Sequence, residues 1–302
     1  MRLPRRLKIK RFHKPSCSSI LPKYPGCPFS LNLSLSFLNF THYDVHLQMI
    51  NRFFPNVYYS VVIPIILLST SYSAKIAPKC RDTDMNCAVW VATNTSDCEN
   101  VELVNSHCPR TCQTCGEPID PKYDVKLLPA KLKSIAWMVG RWRSEFGGKA
   151  FFPTIPKFTY GEQVDITIAD NSQDTHTPLL NYTAFAWDIN MPDGDPTEIH
   201  SENGYIAVEY DKEQEKEYVS LNTAMSNGFM TIEEGESGPN QVKFRLQRIG
   251  RISFSHDSAV RIMFREWTLL DENRLEARLL MTTTITRRLM EHTAVIYKKI
   301  YP

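Results

Sequence analysis

Two groups of residues in this 302-residue chain have the types and spacing to do chemistry: a histidine, His292, and six cysteines between Cys80 and Cys115. His292 lies in the run Leu289 to Ile300 (LMEHTAVIYKKI), which reads as a strand. At period two, Met290, His292, Ala294 and Ile296 share one face, and Glu291, Thr293, Val295 and Tyr297 the other. An imidazole on an apolar face needs a partner, because a buried polar group without one costs about 1–3 kcal/mol. A backbone carbonyl, a water or a metal would each serve, and a hydrogen-bonded core histidine is the commonest outcome. His200 stands beside Glu202 and reads as a hydrogen bond at a strand end, whereas His176 and His256 lie in polar stretches and read as solvated. No Ser-His-Asp, metal-hydrolase or phosphate-loop pattern rises above chance.

The cysteines are Cys80, Cys87, Cys98, Cys108, Cys112 and Cys115, with none from Gly116 to Pro302. An even number in so short a block reads as a disulfide framework, since such a unit cannot bury enough apolar surface alone. The spacing Cys108-x3-Cys112-x2-Cys115 also matches an iron–sulfur triad, but that needs reduced thiolates and a large α/β barrel around it. An export signal upstream and the three further cysteines argue against the cluster. Arg52, the apolar segment Val57 to Leu68 and the stretch Ser69 to Ala74 have the layout of a signal peptide over residues 49–73, cleaved between Ser73 and Ala74. The alternative is a membrane anchor formed by residues 53–74. Residues 1–48 hold eight Lys/Arg against Asp44 and read as a disordered or mis-annotated extension, with Met49 the true start. The remaining 27 basic and 32 acidic residues make the body net negative, which argues against nucleic-acid binding.

The elements that must position His292 come after a polar segment, residues 116–126, read as a linker. Leu127 to Met138 suggests a short helix. Strand-like runs follow at Phe158 to Ile168, Leu180 to Ile189, Glu198 to Tyr210, Lys216 to Thr223, Phe229 to Glu233, Val242 to Phe254, Ala259 to Leu270, Arg274 to Thr283 and the His292 run. Turn signals separate them at Pro192-Asp193-Gly194, Asn227-Gly228, Gly238-Pro239-Asn240 and Asp271-Glu272-Asn273. Short strands with tight turns and little helical periodicity predict an all-β fold over residues 127–302, an antiparallel barrel or sandwich. A barrel of this size holds one small ligand.

Residues 80–115, with Cys80-Arg81-Asp82-Thr83 at the front and Pro109-Arg110-Thr111-Cys112-Gln113-Thr114-Cys115 at the back, resemble the ShK toxin-like module. The resemblance implies the pairs Cys80–Cys115, Cys87–Cys108 and Cys98–Cys112 and a contact between Asp82 and Arg110. Channel-blocking members carry Lys-Tyr where this chain has Glu102-Leu103, so an extracellular docking module is expected in place of a toxin. Asn94-Thr95-Ser96 and Asn181-Tyr182-Thr183 are glycan acceptors if they face out.

From about Leu127 to Lys299 the chain resembles the nitrobindin family of heme-binding β-barrels, a fold also similar to lipocalins. The motifs are Trp137-Met138-Val139-Gly140-Arg141-Trp142, Phe152-Pro153-Thr154-Ile155, Phe158-Thr159-Tyr160-Gly161-Glu162, His200-Ser201-Glu202-Asn203-Gly204-Tyr205, Arg265-Glu266-Trp267, Met281 and His292-Thr293-Ala294-Val295-Ile296-Tyr297-Lys298. The resemblance implies heme b with ferric iron on His292, the metal ligand, and places Trp142, Thr154 and Ile155 at the cofactor. It also implies nitric oxide binding and isomerisation of peroxynitrite to nitrate. The family's Gly-x-Trp-x-Gly-x-Gly motif reads Gly140-Arg141-Trp142-Arg143-Ser144-Glu145-Phe146 here. Phe146 then crowds the heme or packs on it, and Gly147-Gly148 restores the turn. The competing expectation is a secreted carrier of a lipid or protein ligand.

Overall fold

A computed structural model describes residues 80–170, 177–190, 197–255 and 257–302. The expected leader, the N-terminal extension, His176, His256 and the Pro192-Asp193-Gly194 turn lie outside them.

Ten antiparallel strands close into a barrel in which each strand pairs with its neighbours in sequence and β1 pairs with β10. They are β1 Gly140–Ala150, β2 Phe158–Ile168, β3 Leu179–Asp188, β4 Glu198–Asp211, β5 Lys216–Met225, β6 Phe229–Gly238, β7 Gln241–Arg251, β8 Val260–Asp271, β9 Arg274–Thr283 and β10 Met290–Tyr301. Closure leaves no free sheet edge. Buried and exposed residues alternate along β3, β5 and β6, as a barrel wall requires. Gly228 (φ +85°) makes the turn between β5 and β6. Asn240 (φ +57°) makes the β6–β7 turn. The expected helix at Leu127 to Met138 is instead two 3-10 segments, Val125–Leu127 and Ala130–Met138, because Pro129 starts the second and Ile135 kinks it.

Two irregularities shape the barrel. In β1, register shifts between Ser144 and Gly148 insert extra residues opposite β2. Phe146 is thrown outward, 72% exposed, and neither crowds nor packs on the interior. Gly147 donates its N–H to Ser144 Oγ at 3.0 Å. At Gly148 a Cβ would lie 2.8 Å from the Tyr160 ring, so this glycine takes up the close approach that the displaced motif needs.

The second irregularity is in β10, where Glu291 pairs with Leu280 and Thr293 with Leu279, leaving His292 as the extra residue of a bulge. The period-two face is therefore broken. His292 is buried together with Val295 and Tyr297, while Met290 and Ile296 are exposed. His292 shares the interior with the residues assigned to the opposite face.

The disulfide pairs are Cys80–Cys115, Cys87–Cys108 and Cys98–Cys112. They staple three short helices, α1 Cys87–Thr93, α2 Asp97–Asn100 and α3 Glu102–His107. Asp82 accepts from the backbone N–H groups of Arg110 and Thr111. The contact with Arg110 that the resemblance implied is made through the Arg110 main chain. The segment 116–126 is no free linker: Ile119, Tyr123 and Val125 are buried. Tyr123 donates to Asp165 Oδ1 on β2 at 2.6 Å, and Arg141 Nε donates to the same oxygen at 2.9 Å. Tyr301 Oη accepts from Asp120 N at 2.7 Å. The cysteine-rich module thus packs on the barrel end carrying the start of β1.

Candidate functional site

The strand directions give the barrel two unlike ends. The end that carries the starts of β1 and β3 and the close of β2 is filled by Leu132, Ile135, Met138, Trp142, Ile166, Leu180 and Ile206, all fully buried. The other end opens into a cavity of about 720 Å³. That volume suits one small cofactor or ligand.

His292 lies on the cavity wall and is 1% exposed. Its Nδ1 is 2.9 Å from the Met290 carbonyl oxygen. A carbonyl only accepts, so Nδ1 carries the proton and Nε2 presents its lone pair. Nε2 is buried and has no hydrogen-bond partner among the described residues. The ring meets Phe152 edge to face at 5.5 Å between centroids, and His292 O accepts from Phe151 N at 2.8 Å. The bulge, the carbonyl and the aromatic neighbour together fix the imidazole. An oriented neutral imidazole with its second nitrogen secured is the donor set for a metal. Among the described residues no group of three or more His, Cys, Asp or Glu is placed to hold a metal ion. The site fits a metal that brings its other ligands with it, as a porphyrin does.

Thr154 and Ile155, in the loop after β1, line the mouth of the cavity and are exposed. Trp142 does not line it. Its place near the start of β1 puts it at the filled end, where Nε1 donates to the Met138 carbonyl at 2.9 Å and Lys299 Nζ lies 5.1 Å from the ring centroid. Lys299 is half-buried there, and its loss of hydration pushes the ammonium down to about 8. Trp142 is a core residue that ties β1 to the 3-10 segment.

Below His292 the cavity ends on a belt of polar residues. Arg265 Nε lies 3.1 Å from Glu233, and its Nη2 lies 3.1 Å from Glu202. Tyr182 Oη donates to Glu202 at 3.2 Å, and Tyr297 Oη donates to Glu162 at 2.9 Å. Thr231 donates to Glu233 at 2.8 Å. His200 Nε2 sits 3.3 Å from Glu202, the hydrogen bond expected of it. Burial alone would raise Glu202, but the Arg265 guanidinium and His200 outweigh it and hold the carboxyl at about 2. Burial dominates at Glu162 and pushes it up to about 7. The sequence reading missed this belt as a site, although Glu162, Glu202 and Arg265 all stand in quoted motifs. The available signal was a charged residue at an inward strand position, such as Glu233 two residues after Thr231.

A closed antiparallel barrel around one cavity, with a buried histidine in the cavity wall, defines a class, the heme-binding β-barrels. The chain belongs to the family described as the THAP4-like, heme-binding beta-barrel domain, whose model matches residues 131–299. Residues 79–115 match the ShK domain-like family. Among its relatives is the peroxynitrite isomerase THAP4 of Bos taurus, 32% identical over 57% of this chain and 27% of that protein. The Homo sapiens THAP4 is 28% identical over 61% of this chain and 29% of that protein. The chain therefore spans under a third of the length of these relatives. A peroxynitrite isomerase of Arabidopsis thaliana named Rv2717c is 26% identical over 55% of this chain and 87% of that protein.

Proposed function

We propose that the barrel binds heme b with His292 as the protein ligand of ferric iron, takes nitric oxide, and converts peroxynitrite to nitrate. The observation that carries this reading is His292 on the cavity wall, its Nε2 buried without a hydrogen-bond partner among the described residues while Nδ1 is committed to Met290. When bound, heme supplies the open iron position and redox chemistry that the chain's own side chains lack. The protein holds and orients the imidazole, walls the cavity with Phe158, Met263, Leu279 and Met281, and leaves Thr154 and Ile155 at the mouth to control access. The similarity to peroxynitrite isomerases supports the reaction.

The three disulfides support an extracellular setting. Among the described residues no helix is long and apolar enough to cross a membrane. Export by residues 49–73 and docking of the ShK-like module to an extracellular protein belong to the same reading. So do glycans at Asn94 and at Asn181; Asn181 and Thr183 flank the inward Tyr182 on β3 and face away from the cavity.

The reaction is tested by mixing peroxynitrite with the chain before and after hemin loading and measuring nitrate yield and decay rate. Faster decay with a higher nitrate yield in the loaded chain is expected. Equal rates would return the carrier reading to first place.

A further inference from the structure

The polar belt has a charge balance that the heme reading does not use. Glu162, Glu202 and one guanidinium, Arg265, line the cavity floor, and a third carboxyl, Glu233, backs the guanidinium from behind the lining. Arg265 is taken up by Glu202 and Glu233 at 3.1 Å each. No ion pair joins it to Glu162, on which it acts only at longer range. Glu162 receives one hydrogen bond from the phenol of Tyr297. A charged carboxylate here would have only neutral phenol donors, Tyr297 and Tyr160, against the loss of its hydration, which is why burial rather than a charged partner sets its titration near pH 7.

The groups facing Glu162 come from every packed strand: Tyr160 on its own β2, Tyr182 on β3, His200 and Glu202 on β4, Arg265 on β8 and Tyr297 on β10. Opposite it on β1 stands Ser144, which is uncharged. Ionised, Glu162 makes the floor a site of three carboxylates and one fixed cation. Protonated, it leaves two carboxylates on that cation and adds an O–H donor at the cavity surface. His200 changes the balance in the same direction, since its bond to Glu202 outweighs burial and raises it above its ordinary value.

We propose that Glu162 is the charge gate of the cavity floor: with its proton on it donates a hydrogen bond to an anionic or oxygen-bearing ligand, and with its proton off it turns that ligand away. The gate rests on the reading of the cavity as a ligand site, but it needs no heme. It makes this residue a specificity determinant for small oxyanions and fits the substrate class proposed above.

The test uses the apo chain and therefore stands apart from heme binding. Carbon-13 glutamate labelling would follow every carboxyl by NMR. One signal is expected to titrate near pH 7, to vanish in Glu162→Gln, to move up in Tyr297→Phe, which removes the stabilising donor, and to move down in Glu202→Gln, which removes a neighbouring charge. A second arm measures 1-anilino-8-naphthalenesulfonate, an apolar anion of constant charge, by fluorescence from pH 6 to 8. Wild-type affinity is expected to fall on the order of tenfold. Glu162→Gln is expected to keep only the share due to His200, and His200→Gln only the share due to Glu162. An ordinary glutamate titration at position 162 would overturn the gate. So would a pH dependence of dye affinity identical in wild type and Glu162→Gln.

Discussion

The Nδ1 of His292 sits 2.9 Å from the carbonyl oxygen of Met290, two residues back on the same strand, and this contact sets the tautomer of the ring. It exists because His292 is the extra residue of a bulge, which turns the side chain inward beside its own strand's backbone. In the apo chain, nitrogen-15 NMR of the His292 ring at neutral pH should show the proton on Nδ1. A proton on Nε2 would remove the lone pair on which the cofactor site depends.

Acid stability should divide between two glutamates of opposite sign. Glu202 is held at about 2, below its ordinary 4.5, so it contributes stability above that value that is lost as pH falls from about 4.5 toward 2. Glu162 stands at about 7, so between about 4.5 and 7 the native state binds a proton that the unfolded state has lost, and stability declines as pH rises. Chemical denaturation at stepped pH should show the second slope in wild type, and in Glu162→Gln only the smaller decline that His200 leaves at the upper end of that window.

Arg265→Met should destabilise the fold by about 3–5 kcal/mol, because it strands Glu202 and Glu233 without their cation. Replacing all three by apolar residues of similar volume should cost far less, as buried ion clusters give little net stability. Denaturant midpoints with unchanged slopes would read both effects. A loss below 1 kcal/mol for Arg265→Met would mean that the floor is wetter than the geometry describes.

Trp142→Phe should lose about 1 kcal/mol with its hydrogen bond to Met138 and leave hemin affinity unchanged. Loss of hemin binding by a folded Trp142→Phe chain would move Trp142 back to the cofactor.

Much of the barrel was legible because its strands alternate between short turns; β2 Phe158–Ile168 and β9 Arg274–Thr283 match the expected runs end for end. The first strand was not, since GRWRSEFGGKA mixes glycines and charges around a bulge that hides its alternation. His292 could be picked as a candidate from its apolar surroundings, yet its true face could not, because one inserted residue shifts every later side chain across the sheet. Glu162, Glu202, Glu233 and Arg265 escaped as a group because a charged residue in a strand ordinarily reads as solvent-facing. Only closure of the barrel brings four distant strands' charges together. Trp142 failed for the related reason that motif membership says nothing about which end of the barrel a side chain fills.

The most direct measurement is a hemin titration of the oxidised chain from Ala74 to Pro302, followed by absorbance, for wild type and His292→Ala. The account predicts a saturable Soret band at one heme per chain in wild type, lost or shifted in the mutant while the far-ultraviolet β signature stays the same. A folded wild-type barrel with no saturable heme binding, or a mutant that binds identically, would contradict it.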